Sequence, residues 1–458
     1  MEGRPRGDLT ILPSVDAVMT DPRLADLSDE PRPLVRARVR EILESLRREI
    51  RDGIWTPADR GEALARIERE IRSSGATPLG MRLRAVLPAP ARRALLGATD
   101  GYSSLEIDLK TGRRASRLAA VRELIPLLTG AEAGTAVNNC AGALFLAMAA
   151  LGRGREVLVS RGQLVEIGGS FRLPDILEAS GVRLREVGTT NRTRIADYER
   201  AVGPDTALVL HAHKSNFRLV GFSEEPALSE LAALCRRAGL TLVDDLGSGA
   251  LRAHRDLFPD EPCIEDAIES GADLVCMSAD KLLGVCQAGI IAGKREIVEK
   301  LQEHPIARVV RLDKSLLAAL EAGLRIHLMG SEEGRRSIPL LRALARPSAE
   351  LAAAAARAVE FLRGRIGAGF EIDAVEVRGE VGGGSLPGIE IPSHAVALRC
   401  KDLGADGLAS RLRAGDPPVI GRIQDDRLLL DLRAIQEEDL DGFLHDLARN
   451  LAEGLRDE

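Results

Sequence analysis

Aromatic residues make up only 2% of this 458-residue chain, with one Trp and two Tyr. That scarcity argues against a base-stacking platform of the kind single-strand nucleic-acid binders use. A surplus of positive charge is also missing, since 63 Lys and Arg face 69 Asp and Glu for a formal net charge of -6. A protein that coats nucleic acid through bulk electrostatics needs the opposite sign. Long apolar runs are absent: the longest, residues 141–151, is far short of the ~20 residues that span a bilayer. Residues 1–13 hold no apolar core of the kind a secretory signal needs. The six cysteines (140, 235, 263, 276, 286 and 400) include no CxxC pair, and no His stands at zinc-ligand spacing. Reduced, buried thiols and no metal site are the expectation. These absences predict a soluble cytoplasmic protein without a membrane partner, of ordinary globular composition.

What is present falls into three stretches. Residues 1–70 are predicted as a small helical domain, Arg- and Glu-rich, with Val35, Val39, Ile42, Leu43, Leu46 and Ile50 at helical spacing. Thr56 and Pro57 read as the N-cap and first position of a second helix carrying Leu64, Ile67 and Ile71. Residues 71–335 are predicted as a large domain in which short β-branched runs (135–137, 156–159, 183–187, 207–211, 241–244, 274–277 and 289–292) alternate with helical segments such as 141–151 and 225–238. That alternation predicts an α/β fold with a mostly parallel sheet sandwiched by helices. Residues 336–458 read as a C-terminal α+β domain, with a long Ala-rich helix at 347–364 and strands at 396–399 and 428–432.

In such a sheet the loops after the strands' carboxyl ends carry the site. Ser278-Ala279-Asp280-Lys281 follows one predicted strand. An ammonium there is costly to bury without a partner, so Lys281 is a candidate for Schiff-base chemistry in a dry pocket. Asp245 ends a neighbouring strand. A pyridoxal phosphate enzyme needs such an acid to keep the pyridine nitrogen protonated. Asn139 and Cys140 lie between a strand and a helix, where backbone N–H groups can meet a phosphate, although a plain Asn N-cap is the commoner reason for that residue. His213 and Ser215 follow another strand and are placed to contact the ring's phenolic oxygen or the substrate. Ser278 completes the predicted cofactor set.

These residues sit in longer runs with a recognisable pattern. Asp245-Leu246-Gly247-Ser248-Gly249, Asp280-Lys281-Leu282-Leu283-Gly284, His304-Pro305 with Arg308 and Arg311, Gly383-Gly384-Ser385-Leu386-Pro387, and the stretches 156–172 and 186–193 resemble those of bacterial selenocysteine synthases. These are seryl-tRNA(Sec) selenium transferases of the aspartate-aminotransferase-like pyridoxal phosphate fold. The similarity covers most of residues 100–435.

The resemblance implies a fold-type-I enzyme that uses pyridoxal 5′-phosphate and converts seryl-tRNA(Sec) to selenocysteyl-tRNA(Sec) with selenophosphate, through an aminoacrylyl-tRNA. Lys281 would bind the cofactor and remove the seryl α-proton, while Asp245 held the ring nitrogen. Arg84, Arg308 and Arg311 would bind substrate, the last two gripping selenophosphate. The N-terminal helices would hold the tRNA, and the protein would be a homo-oligomer, at least a dimer and up to a larger ring. Some positions depart from the family pattern. Cys140 stands where a third Asn is usual, Gly284-Val285-Cys286 replaces Gly-Gly-Pro, the Gly-Arg-Gly-x-Arg element reads Gly112-Arg113-Arg114-Ala115-Ser116-Arg117, and of the usual segment around 71–84 only Gly75 and Arg84 persist. The alternative reading is a pyridoxal phosphate lyase or paralogue of the same superfamily, acting on a small amino acid or amino-sugar phosphate.

Overall fold

The structure, a computed structural model, describes residues 9–22, 32–51, 57–73, 86–102, 104–167, 171–252, 255, 257–258, 260–367, 369–381, 385–386 and 388–452. The chain divides into two compact units, one of Arg82–Pro347 with Arg378–Pro392, the other of Met1–Met81, Ser348–Val377 and Ser393–Glu458.

The first unit is built on a seven-stranded sheet of β1 (Ala133–Val137), β2 (Glu156–Ser160), β5 (Arg183–Val187), β6 (Thr206–Ala212), β7 (Thr241–Leu246), β8 (Leu274–Ser278) and β9 (Gly289–Gly293). A two-stranded hairpin, β3 (Glu166–Ile167) and β4 (Phe171–Arg172), lies outside it. The sheet order is β1-β9-β8-β7-β6-β2-β5. Pairings among β8, β7, β6, β2 and β5 are parallel, and β9 runs antiparallel to both β1 and β8. The two-residue period sends alternate side chains to two cores. Val275, Met277, Ile290 and Ala292 pack in one, while Leu274, Cys276, Ile291 and Val243 pack in the other. Both faces are therefore covered, which is why these strands read as nearly continuous apolar runs. The helix Cys140–Gly152 is apolar on all sides and contributes Leu144, Ala147 and Met148 to the second core.

In the second unit the helices Arg32–Arg51 and Arg60–Ser73 pack through Val35, Val39, Leu43, Leu46 and Ile67. The second of these helices starts later than expected. Thr56 lies outside the described residues and Pro57 precedes the helix. Asp59 is the cap: its carboxylate accepts the Glu62 N–H at 2.9 Å, and Glu62 returns a bond to the Ala58 N–H. The C-terminal part carries a four-stranded sheet of β10 (Phe370–Gly379), β11 (Ile391–Cys400), β12 (Arg422–Gln424) and β13 (Arg427–Asp431), in the order β10-β11-β13-β12. It shares a core with the helices Ser348–Arg363, Gly404–Arg413 and Leu440–Ala452 through Leu351, Leu362, Leu398, Leu408, Leu430 and Leu447. Among the described residues no helix is long and apolar enough to cross a membrane.

Candidate active site

The parallel order places the carboxyl ends of β6, β7 and β8 side by side, with Ala212 opposite Asp245 and Asp245 opposite Cys276. Each end delivers part of the predicted set. After β8, the Ser278 hydroxyl donates to Asp280 Oδ1 at 2.7 Å, and the turn that follows is closed by Gly284 N–H to the Lys281 carbonyl at 2.8 Å. Ser278 therefore shapes the turn that presents Lys281. After β7, the chain folds against this turn, with the Leu282 N–H on the Ser248 carbonyl at 3.0 Å. One glycine makes the approach feasible. Gly249 has φ +71°, and a Cβ there would stand 1.9 Å from the Ser278 carbonyl oxygen. At Gly247 a Cβ would lie 3.6 Å from Ser215 Oγ and 4.0 Å from Lys281 Nζ, so Ser215 and Lys281 border the same point.

Asp245 is enclosed by the protein, and this pushes its carboxyl up to about 6, with the Cys140 hydrogen bond, Lys281 and His211 pulling the other way. The Cys140 thiol donates to Asp245 Oδ1 at 3.4 Å. Burial, then the Asp245 charge, drives the thiol's own pKa well up, so it stays a neutral donor. His213 donates its backbone N–H to the Asp245 carbonyl at 3.0 Å. Burial holds its imidazole down to about 4, and Nδ1 is buried with no hydrogen-bond partner. His211, two residues earlier, is bonded through Nδ1 to Asp244 at 2.6 Å. Burial alone would depress its pKa, but the Asp244 contact raises it overall.

Asn139 caps the helix Cys140–Gly152, its Oδ1 accepting the Gly142 N–H at 2.6 Å. Its neighbour Asn138 donates its backbone N–H to the Val310 carbonyl at 2.9 Å, tying this loop to the segment that carries the predicted arginines. Arg308 lies on the short helix Pro305–Val309 and Arg311 beyond its end, so the two are not a pair on one helical face. Both act electrostatically on Arg117. The sequence shows Arg117 only as the end of the altered Gly-Arg-Gly-x-Arg element and gives no sign of Glu106, which approaches both Arg117 and Arg311. Arg84 lies outside the described residues.

The model of the L-seryl-tRNA selenium transferase family matches residues 76–436 of this sequence. The chain belongs to that family. It is similar to the L-seryl-tRNA(Sec) selenium transferase of Moorella thermoacetica, 44% identical over 466 residues covering 98% of this chain and 97% of that protein. The one from Hyphomonas neptunium is 47% identical over 367 residues, covering 79% of this chain and 78% of that protein. Among solved structures, D-glucosaminate-6-phosphate ammonia-lyase superposes with a TM-score of 0.56 at 19% identity, covering 82% of this chain and 95% of that one. That likeness bears on the fold alone and agrees with the α/β architecture expected from the sequence.

As a member of this selenium transferase family the chain is a pyridoxal phosphate enzyme. The residues present fit the cofactor. An enclosed carboxyl with a raised pKa ends β7, and the segment bonded to its backbone carries His213, whose buried Nδ1 has no hydrogen-bond partner. Lys281 completes the set within reach of the Gly247 turn.

Proposed function

We propose that this protein converts seryl-tRNA(Sec) to selenocysteyl-tRNA(Sec), with selenophosphate as the selenium donor. The observation that carries the reading is the family match over nearly the whole chain, joined to a lysine and an enclosed acid at neighbouring strand ends. Pyridoxal phosphate, when bound, supplies the electron sink that makes the seryl α-hydrogen acidic. Asp245 would hold the ring nitrogen protonated, with Cys140 supporting the carboxylate. Lys281 would anchor the cofactor and then accept the seryl α-proton at Nζ as the β-hydroxyl leaves. Asn139 and the start of the helix Cys140–Gly152 would face the cofactor's phosphate, and His213, Ser215 and Ser278 would line the ring's surroundings. His213 stays neutral there, so it adds no charge against Lys281.

Arg308 and Arg311, both exposed, would grip selenophosphate by charge-assisted hydrogen bonds. In this reading the sequence-derived domains keep their roles, with residues 1–70 binding tRNA, 71–335 the cofactor, and 336–458 forming a C-terminal domain. The first role is supported by the helix Arg32–Arg51, which carries seven Arg against three Glu. A cytoplasmic homo-oligomer, at least a dimer and up to a ring, completes the proposal. The test is selenium transfer from selenophosphate to seryl-tRNA(Sec) by the purified protein. Consumption of a free amino acid or amino-sugar phosphate in its place would support the lyase reading.

A further inference from the structure

Residues 104–117 form a small loop pinned by the Ile107–Arg114 bridge and by the Ala115 N–H on the Glu106 carbonyl at 2.9 Å. The loop turns Glu106 toward an unusual set of cations. Arg114 donates to its Oε2 at 3.2 Å, while Arg117 Nη1 and Arg311 Nη1 stand 3.8 and 4.0 Å from its Oε1. Arg117 is the most enclosed of the three, with its side chain 13% exposed. Its Nη2 donates to the Leu312 carbonyl at 2.9 Å, and its Nε is buried without a hydrogen-bond partner. Burial, then Arg311 and Arg308, lowers its pKa, which records how crowded the positive charge is. Asp313, the other carboxylate acting on Arg117, is occupied in capping the helix Lys314–Leu328 through Ser315 and Leu316.

Three guanidinium groups thus approach one carboxylate, which accepts a hydrogen bond from Arg114 alone, since its contacts with Arg117 and Arg311 are too long to be hydrogen bonds. We propose that Glu106 is a displaceable internal counter-ion of the oxyanion site, and that Arg117 is a third arginine of that site. Glu106 neutralises Arg117 and Arg311 while no anion is bound and gives way to a phosphoryl group, whose greater charge and three oxygens suit several guanidinium forks at once. A singly charged anion offers no more than Glu106 already does, so the device selects for phosphate-like ligands. The proposal rests on Arg308 and Arg311 holding the donor anion.

The experiment uses the full-length holoenzyme and inorganic phosphate as the probe, read as competitive inhibition against selenophosphate and as direct binding by calorimetry. E106Q should tighten phosphate about three- to fivefold, the scale of losing one partly exposed ion-pair partner, and should admit a singly charged anion such as nitrate. R117A should weaken phosphate about tenfold or more and R117K by less, with the visible cofactor band unchanged in each. Unchanged or weaker phosphate binding in E106Q would overturn the counter-ion role. So would a protein that tolerates neither E106Q nor E106A, because Glu106 would then be a structural brace. R311A separates the two levels. If it leaves phosphate affinity intact, the donor-site reading fails. If it weakens phosphate while E106Q brings no tightening, only the counter-ion proposal fails.

Discussion

The Cys140 thiol reaches Asp245 Oδ1 across 3.4 Å, so a residue at the start of a helix supports the acid at the end of β7. Removing the thiol leaves that carboxylate with one donor fewer in an enclosed place. Cys140→Ala should lower kcat/KM about fivefold, near 1 kcal/mol, with cofactor still bound. Cys140→Asn keeps an N–H donor and should stay close to wild type. Steady-state kinetics on both variants checks this, and equal losses in the two would remove the donor role.

The depressed imidazole of His213 sets a pH dependence with a definite sign. Unfolded chain takes up a proton below the ordinary value of 6.5, whereas the native site refuses it until about 4. Stability is therefore lost as pH falls from 6.5 to 4, by up to about 3 kcal/mol from this group. Urea titrations at pH 7.5 and pH 4 should show wild type losing about that much more than His213→Asn. Parallel losses would mean that His213 titrates normally.

Gly249 combines φ +71° with a carbonyl oxygen 1.9 Å from where a Cβ would stand. The obstacle is backbone, which cannot swing aside as a side chain does. Gly249→Ala should cost at least about 3 kcal/mol and abolish cofactor retention by separating the Asp245 loop from Ser278. Thermal unfolding and visible absorption report both effects, and a variant with wild-type Tm and full cofactor content would contradict the packing described.

Arg40, Arg47 and Arg48 are exposed on the helix Arg32–Arg51. Replacing all three by Glu should weaken tRNA binding at least about tenfold and flatten its salt dependence, since each lost phosphate contact removes about 0.7 to 0.9 from the log–log slope. The cofactor band should not change. Filter binding over a salt series would reveal an unaffected affinity if the tRNA docks elsewhere.

The lysine and acid were legible in the sequence because charged side chains at or just past the carboxyl end of an otherwise apolar buried strand stand out. Asp245 is the second-last residue of β7, and Lys281 stands three residues past β8. The antiparallel direction of β9 was less visible. Its connection from β8 is only ten residues long and holds no crossover helix, which favours reversal. Glu106 carried no signal, because an irregular loop has no periodicity, and Arg117 stood out only as the end of the altered Gly-Arg-Gly-x-Arg element, with nothing in the sequence to show that both approach Arg311 from far along the chain. The cap of the helix Arg60–Ser73 was misplaced for a simpler reason. Thr56 and Asp59 are both good N-cap types three residues apart, and only the bond to Glu62 decides between them.

One chemical outcome decides between a selenium transferase and any other pyridoxal phosphate enzyme. Purified holoenzyme incubated with seryl-tRNA(Sec) and selenophosphate should leave selenocysteine esterified to the tRNA, identified by mass spectrometry after mild hydrolysis, and Lys281→Ala should leave only serine. Unchanged seryl-tRNA(Sec) in the presence of a protein that carries its full complement of pyridoxal phosphate would contradict the selenium transferase reading.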